Sequence, residues 1–230
     1  MGDVTTGSGW ADAANMSASR NLGPEALVRA VRAAGVLDRR VLEAVRVTAR
    51  TGFVPANYAH VAYDDQPIPI GHEQVTTQPS LSARMIEGLA LAGDERVLEI
   101  GTGLGYQTAL LAHLARAVVT IELWPDLVRT ARQNLARHGV RNVTLLVGDG
   151  SCGVPDHAPF DAIIVSAAFP EVPTPLIDQL RVGGRLVQPI GPGGHEEVVL
   201  YSRTTDGLKY QESLTLARFV RLRGQFGYPT

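Results

Sequence analysis

Hydrophobic residues recur at different spacings along this chain, and the main change falls at Pro79. The segments 24–35 and 39–50 repeat apolar residues at helical spacing, which predicts two amphipathic helices. Asp38 is placed to cap the second of them. Residues 51–78 contain several prolines and no hydrophobic period, so we predict a long loop there, of the kind that usually carries function.

From Pro79 onward, short apolar runs alternate with helical patterns. The predicted helices are 79–91, 106–115, 125–139 and 173–180, and the predicted strands are 96–100, 117–123, 142–150, 160–168 and 183–191. Such alternation is typical of a parallel sheet with helices on both faces. Two last segments, 196–203 and 208–220, flank a Thr-Thr-Asp-Gly turn and predict a closing antiparallel hairpin.

These patterns predict an α/β fold with a doubly wound, mostly parallel seven-stranded sheet, an antiparallel C-terminal edge and an N-terminal helical extension. Residues 1–22 are small, polar and glycine-rich, which predicts a flexible tail. We expect 23–230 to form a single domain, with 23–78 as a helical and loop extension and 79–230 as the α/β core.

Composition narrows the functional classes. The chain has 230 residues, of which 45% are hydrophobic, and a formal net charge of −2, so we expect one globular domain that binds no nucleic acid. Cys152 is the single cysteine, which excludes an intramolecular disulfide and favours the reducing cytoplasm. No run approaches the roughly 20 apolar residues of a membrane span, and the start lacks a signal-peptide pattern.

A glycine turn separates the first core strand from its helix. In "VLEIGTGLGYQ" the glycines are Gly101, Gly103 and Gly105, whereas a dinucleotide fingerprint would place a glycine at Tyr106. The motif resembles the S-adenosylmethionine loop of class I methyltransferases. Glycines without a Cβ allow the backbone of this turn, including Thr102, to approach a ligand. The resemblance implies that Glu99, at the end of the strand, lies near the ammonium group of the cofactor.

Acidic residues end the next two strands. Glu122, followed by Leu123, can accept hydrogen bonds from both ribose hydroxyls, although the same position also serves NAD. Asp149 and Gly150 end the third strand, where the class I pattern implies contact with adenine. A glycine turn and two acids at successive strand ends favour S-adenosylmethionine over NAD, and over ordinary turns with surface acids.

The segment before the glycine turn is more specific. "AYDDQPIPIGHEQVTTQPSLSARMIEGLAL" (62–91), "FDAIIVSAAFPEVPTPLIDQLRVGGRLVQPIG" (160–191) and the closing "ARFVRLRG" (217–224) resemble protein-L-isoaspartate O-methyltransferases in order and spacing. Thr77 stands where that family usually has its active-site serine, and Val75 where it has threonine.

The resemblance implies a class I, Rossmann-like methyltransferase that repairs damaged proteins and peptides in the cytoplasm as a monomer. It would methylate the α-carboxyl of L-isoaspartyl residues, using S-adenosylmethionine and releasing S-adenosylhomocysteine, with no metal and no membrane or nucleic-acid partner. Thr77 would orient the carboxylate, with Thr76 and Gln74 as weaker candidates, and Ser166 to Phe169 would border the peptide.

Several alternatives remain open at this point. Thr77 could instead cap the helix that starts at Pro79. His72 could contact substrate or simply be exposed, and Trp124 could pack near adenine or in the core. For the whole chain, the departures at Val75 and Thr77 allow a carboxyl O-methyltransferase for a specific peptide or small molecule. A nicotinamide-dependent oxidoreductase and a non-catalytic S-adenosylmethionine-binding module are the other two classes.

Overall fold

The computed structural model describes residues 23–192 and 194–229 of the chain, so the predicted tail over 1–22 lies outside the described residues. The helices are α1 (Pro24–Ala33), α2 (Arg39–Val47), α3 (Pro79–Gly88), α4 (Tyr106–Leu114), α5 (Pro125–Arg137) and α6 (Thr174–Gln179). The strands are β1 (Ile68–Gly71), β2 (Gln74–Thr76), β3 (Arg96–Ile100), β4 (Ala117–Glu122), β5 (Val143–Val147), β6 (Phe160–Val165), β7 (Leu180–Ile190), β8 (Glu196–Thr204) and β9 (Gly207–Ala217).

Seven of these strands form one sheet in the order β5-β4-β3-β6-β7-β8-β9. The first five of that order pair in parallel, and β8 and β9 add antiparallel to β7. The predicted mostly parallel sheet with an antiparallel C-terminal edge is therefore confirmed. The sequence order reverses between β3 and β6, which is where open α/β sheets bind ligands.

Helices cover both faces of the sheet, because the central strands are apolar on both sides. Val97 and Ala162 pack in one hydrophobic cluster together with α1 to α4, whereas Leu98 and Ile163 pack in a second cluster together with Leu176 of α6. This explains why the strand sequences read as continuous apolar runs rather than alternating ones. Within the described part of the chain, no helix combines the length and apolar composition needed to cross a membrane.

The prediction of a long loop over 51–78 is wrong. Two short 3₁₀ helices, Arg50–Phe53 and Ala56–Val61, are followed by the β1–β2 hairpin. The hairpin turn is made by His72 and Glu73, both with positive φ (50° and 57°), rather than by the glycine and asparagine that usually mark such turns. The strands are too short, and the turn too atypical, for their pattern to stand out in sequence.

Candidate active site

The carboxyl ends of the parallel strands bring the predicted residues to one edge of the sheet. Gly101 follows β3, Glu122 ends β4, and Ser166 follows β6. Backbone bonds join the three ends, since the Gly101 amide donates to the Ile121 carbonyl and the Ser166 amide to the Ile100 carbonyl. The hairpin β1–β2 lies over this edge: a Cβ on Gly103 would come within 3.3 Å of the Ile70 side chain.

Gly101, Gly103 and Gly105 all have positive φ (92°, 56° and 92°), so each needs glycine for its backbone conformation. The amide of Gly103 donates to Oε2 of Glu122 at 2.9 Å, and the amide of Trp124 donates to Oε1 at 3.1 Å. Burial raises the pKa of Glu122, although these two amides oppose the shift. Glu122 is thus an oriented acceptor beside the glycine turn.

Glu99 lies elsewhere than we expected from the sequence. It is fully buried, and its carboxylate accepts hydrogen bonds from Gln107, Thr108 and Thr120 rather than facing a ligand cavity. The side chain points under the turn because the next residue of the strand, Ile100, packs on the opposite face. Burial raises the pKa of Glu99 to about 7, despite the three donors.

Thr102 is held by the same network. Thr120 donates its single hydroxyl proton to Glu99, so the 2.6 Å contact between the Thr102 and Thr120 hydroxyls must use the proton of Thr102. The Thr102 side chain therefore faces inward, and its backbone is the part that lines a cavity. Glu99 reaches the glycine turn through Thr120, which makes it a support of the turn.

Asp149 also differs from the expectation. Its carboxylate accepts from the amide and hydroxyl of Ser151 and from the amide of Gln225, so it fastens the C-terminal segment to the strand end. Gly150, by contrast, lines a cavity together with Leu123, and a Cβ there would lie 2.4 Å from Ile100. The backbone at this strand end, rather than the Asp149 carboxylate, borders the space where adenine was expected.

Three cavities meet at this edge. The inner cavity (about 60 Å³) lies between the hairpin and the glycine turn, and the edge cavity (about 70 Å³) lies beside Glu122, Leu123 and Trp124. The outer groove (about 450 Å³) runs between α3 and β9. Ser166 and Val220 border all three cavities, so the three spaces are neighbours around one point.

Thr77 lines both the outer groove and the inner cavity. It does not cap α3. The helix begins after Gln78, which makes no side-chain cap, and the amide of Ser80 is instead satisfied by Oδ1 of Asp65 at 2.8 Å. Asp65 also accepts from the Gln78 side chain. The capping alternative for Thr77 is therefore wrong, and its side chain is left at the junction of two cavities.

Arg50 organises the segment that carries Thr77, and no sequence pattern indicated this role. Its guanidinium is fully buried and donates to the carbonyls of Ala62, Asp64 and Gln66. It also donates to the Thr76 hydroxyl at 2.9 Å. Burial lowers the pKa of Arg50 to about 10, so it remains a cation at neutral pH. One side chain thus fixes the path of the chain from residue 62 to residue 76.

The two weaker candidates are committed to neighbours. The Thr76 hydroxyl accepts from Arg50, and the Gln74 amide donates to the His72 carbonyl at 2.9 Å. Both residues line the inner cavity, and Gln74 also lines the edge cavity. Thr76 and Gln74 therefore lie beside Thr77 and form part of the wall of the inner cavity, where Arg50 and the hairpin turn hold them in place.

His72 is neither simply exposed nor in the groove. Its Nε2 lies 3.0 Å from each carboxylate oxygen of Asp126, and its ring stacks on Trp124 at 4.1 Å between centroids. Trp124 lines the edge cavity. The tip of the hairpin is thus attached to the start of α5. Among the described residues, no group of three or more His, Cys, Asp or Glu side chains could hold a metal ion.

Comparisons with known proteins agree with this geometry. Residues 22–226 match the family model for protein-L-isoaspartate(D-aspartate) O-methyltransferase. The chain is 50% identical to the protein-L-isoaspartate O-methyltransferase of Methanoculleus marisnigri, covering 86% of this chain and 90% of that one. It is 49% identical to the enzyme of that name from Myxococcus xanthus, covering 83% and 92%.

Solved structures give the same result. One protein-L-isoaspartate O-methyltransferase superposes with a TM-score of 0.76 at 29% identity, covering 89% of this chain and 67% of that one. A Plasmodium falciparum structure in complex with S-adenosyl-L-homocysteine superposes with a TM-score of 0.75, covering 88% and 99%. At 20% identity, that likeness shows the fold alone.

Proposed function

The chain belongs to the protein-L-isoaspartate O-methyltransferase family, and from this premise we propose that it methylates the α-carboxyl of L-isoaspartyl residues in damaged proteins and peptides. The methyl donor is S-adenosylmethionine, and S-adenosylhomocysteine is released. The single observation that carries the assignment of roles is the position of Thr77. It borders the outer groove on one side and the inner cavity beside the glycine turn on the other.

The residues at the glycine turn fit this cofactor. Gly101 borders both small cavities, where a Cβ would occupy space beside Ser166 at 3.4 Å. Gly150 lets its strand end pack closely on Ile100, since a Cβ there would lie only 2.4 Å from that side chain. Glu122 presents an oriented carboxylate to the edge cavity, where it would accept hydrogen bonds from the ribose hydroxyls. Leu123 and Gly150 would border the adenine.

The outer groove fits a peptide that carries a free carboxylate. Its lining includes Arg84 and Arg218 and contains no acidic side chain. The cation of Arg84 lies near the Leu214 carbonyl of β9, to which its Nε donates at 2.7 Å. A basic groove of about 450 Å³ that leads to Thr77 would attract a negatively charged segment and exclude a lysine-rich one.

The reaction needs alignment more than proton transfer. An α-carboxyl has an unperturbed pKa of about 3.3–3.7, so the nucleophile is already ionised near neutral pH. When bound, the cofactor would supply an electrophilic methyl group on a positively charged sulfur, with that sulfur as the leaving group. The Thr77 hydroxyl would hold the carboxylate by donating one hydrogen bond, and the walls of the groove would exclude water.

The test is transfer of labelled methyl from S-adenosylmethionine to an isoaspartyl peptide, beside the same peptide with normal aspartate. We expect base-labile label on the isoaspartyl peptide alone. Transfer to neither peptide, with S-adenosylhomocysteine binding intact, would overturn the repair assignment. That result would favour the second candidate, a carboxyl methyltransferase for a particular peptide or small molecule. The observation that favours this candidate is Val75, which is exposed and lines the outer groove.

We further propose that the enzyme acts as a cytoplasmic monomer, with 23–78 as its substrate-side extension and 79–230 as its cofactor core. The three cavities share Ser166 and Val220, so the residues of a single chain bring them together. Cys152 cannot form an intramolecular disulfide, which suits a reducing compartment. Light scattering of the purified protein tests the oligomeric state directly.

A further inference from the structure

The β1–β2 hairpin covers the two small cavities of the active site. Ile70, Gln74 and Val75 of the hairpin line the inner cavity, and Gln74 also lines the edge cavity. With the hairpin in this position, the two cavities hold about 60 and 70 Å³. Sites for ligands of drug-like size, such as a nucleoside cofactor, typically measure about 300–1,000 Å³. The hairpin must therefore move away from the glycine turn before such a ligand enters.

One end of the hairpin is held by a buried cation. Nη2 of Arg50 donates to the carbonyl of Gln66, just before β1, and to the hydroxyl of Thr76, at the end of β2, each at 2.9 Å. Arg50 is fully buried. The two chain ends of the hairpin are thus bonded to one nitrogen that solvent does not reach. This end can act as a hinge, but it is not the end that opens.

The opposite end, which is the hairpin turn, is attached at the surface. The His72 ring stacks on Trp124, with 5° between the ring planes, and its Nε2 lies 3.0 Å from both carboxylate oxygens of Asp126. The side chains of His72 and Asp126 are 33% and 50% exposed. The hydrogen bond with His72 lowers the pKa of Asp126, so this carboxylate is ionised at neutral pH. Contacts open to water break more readily than the buried bonds of Arg50.

The backbone of the turn favours release. His72 and Glu73 both have positive φ, a left-handed conformation that costs free energy in residues other than glycine and persists where surrounding contacts hold it. Gly71 connects the turn to β1, and a Cβ added there would meet nothing within 4 Å, so the chain has room to rotate at this point. The contact of His72 with Trp124 and Asp126 is therefore what keeps the turn in place.

We propose that the β1–β2 hairpin is a lid over the cofactor site, that it hinges at Arg50, and that the contact of His72 with Trp124 and Asp126 is a latch that controls the rate of cofactor exchange. The latch adjoins the site, since Trp124 lines the edge cavity and its amide donates to Glu122. His72 is a positioning residue that acts through the hairpin. The inference rests on the proposed function only for the identity of the ligand.

The experiment measures binding of S-adenosylhomocysteine by stopped-flow fluorescence in Trp10→Phe protein, in which Trp124 is the single tryptophan. His72→Asn removes the stacked ring and the contact with Asp126, while asparagine tolerates positive φ. We expect the association and dissociation rate constants both to rise about fivefold, the scale of an exposed ion pair together with an aromatic contact. Because the latch forms with or without ligand, Kd should stay within about twofold.

Two further variants separate the latch from the turn. Glu73→Asn is the matched control: Glu73 has the same backbone conformation and is exposed, but its side chain makes no hydrogen bond or ion pair with the described residues. It should leave both rate constants within about twofold of the parent protein. Asp126→Asn should raise both rate constants less than His72→Asn does, and should add nothing when combined with it, because the two residues act through one contact.

Unchanged rate constants in His72→Asn would overturn the inference. So would a rise in the dissociation rate alone, with a matching rise in Kd, because it would show that His72 contacts the ligand rather than the lid. An equal effect of Asp126→Asn with and without His72 would also contradict the latch. If S-adenosylhomocysteine binds with the expected kinetics but no isoaspartyl peptide is methylated, the proposed function fails while this inference stands. If it does not bind, both fail.

Discussion

The segment before Pro79 and the glycine turn are both organised around one buried charge, but they use it differently. Arg50 donates to four backbone carbonyls, the last that of Thr77, and to one hydroxyl, and all five acceptors lie between residues 62 and 77. Glu99 accepts from three side chains that project from α4 and β4, two elements with their own backbone hydrogen bonds. Arg50 holds a segment that has little regular structure outside the hairpin, whereas Glu99 joins a helix and a strand that have their own backbone hydrogen bonds.

This difference determines how the segment before Pro79 and the glycine turn respond when the buried residue beneath each of them is changed. Apart from the β1–β2 pairing and a few local bonds, the segment held by Arg50 has little to keep its path, so its shape should depend strongly on the guanidinium. The glycine turn keeps its backbone bonds to Ile121 and Thr102 whether or not Glu99 is ionised. We therefore expect the substrate side of the active site to fail as a unit, and the cofactor side to respond gradually to the charge beneath it.

The largest effect is expected from Arg50→Met. Its loss would leave buried carbonyls without donors, at roughly 1–3 kcal/mol each, so the free energy of unfolding should fall by at least about 3 kcal/mol. Chemical denaturation measures this, and hydrogen exchange should show the loss of protection concentrated between residues 62 and 77. Arg46→Met is the control, since Arg46 is an exposed arginine paired with Glu43. Similar losses in both variants would contradict the role of Arg50.

The next effect is a pH dependence. The folded pKa of Glu99 is raised from 4.5 to about 7, so its contribution to stability is present below 4.5 and is lost as the pH rises through 7. Relative to Glu99→Gln, wild-type protein should therefore lose roughly 2–3 kcal/mol of unfolding free energy between pH 5 and pH 8.

Glu95 provides the control for that pH series. Burial alone would raise the pKa of Glu95, but nearby backbone amides, among them those of Ala92 and Gly93, and the Arg185 cation together hold the pKa below the usual value. The contribution of Glu95 to stability is lost only as the pH falls below the pKa of a free glutamate. The difference in unfolding free energy between Glu95→Gln and wild type should therefore be constant between pH 5 and pH 8. A flat Glu99→Gln series would mean that Glu99 is ionised throughout.

A smaller effect separates the cofactor side from the substrate side. Glu122→Ala should weaken binding of S-adenosylhomocysteine by about 1–3 kcal/mol, because the ribose hydroxyls lose a charged acceptor. Titration calorimetry measures the change. Unchanged affinity would rule out the ribose role. The isoaspartyl peptide should still bind, since Glu122 does not line the outer groove.

The smallest change concerns Thr77. Thr77→Ala should reduce turnover about tenfold, the worth of one hydrogen bond to a charged group, while the affinity for S-adenosylhomocysteine stays the same. Thr77→Ser keeps the hydroxyl and should restore most of the rate. Initial rates on the isoaspartyl peptide give the comparison. Should Thr77→Ala and Thr77→Ser be equally active, the hydroxyl is not what positions the carboxylate.

The parallel core was predictable because each of its signals is local. The strands β3, β4 and β6 are continuous apolar runs, and the glycine turn follows β3 directly. The parallel pairing of the core strands also follows from the alternation of helices and strands. The ends of the elements were predicted less accurately. Strand β7 begins at Leu180, three residues before the predicted strand, because the chain leaves α6 in an extended conformation without a turn.

The supports of the site were not predictable, because each acts over a distance that sequence patterns do not cover. Arg50 ends a helical pattern and reads as a solvated charge, and its partners lie 12 to 26 residues later. Asp65 accepts a hydrogen bond from the Ser80 amide at the start of α3, although it lies 15 residues earlier in the chain. Glu99 was identified as part of the cofactor site, but only the packing of α4 against β4 reveals that its carboxylate turns inward.

The meeting of three cavities at Ser166 and Val220 has a consequence for inhibitor chemistry. A compound that joins an adenosyl group to an isoaspartyl carboxylate through a short linker would occupy the edge cavity and the outer groove at once. Because the two spaces share a border, the linker needs to span only a few bonds, and the second group would bind at a high effective concentration. Selectivity would follow from the groove rather than from the nucleoside, since the residues at Val75 and Thr77 depart from the usual pattern of the family.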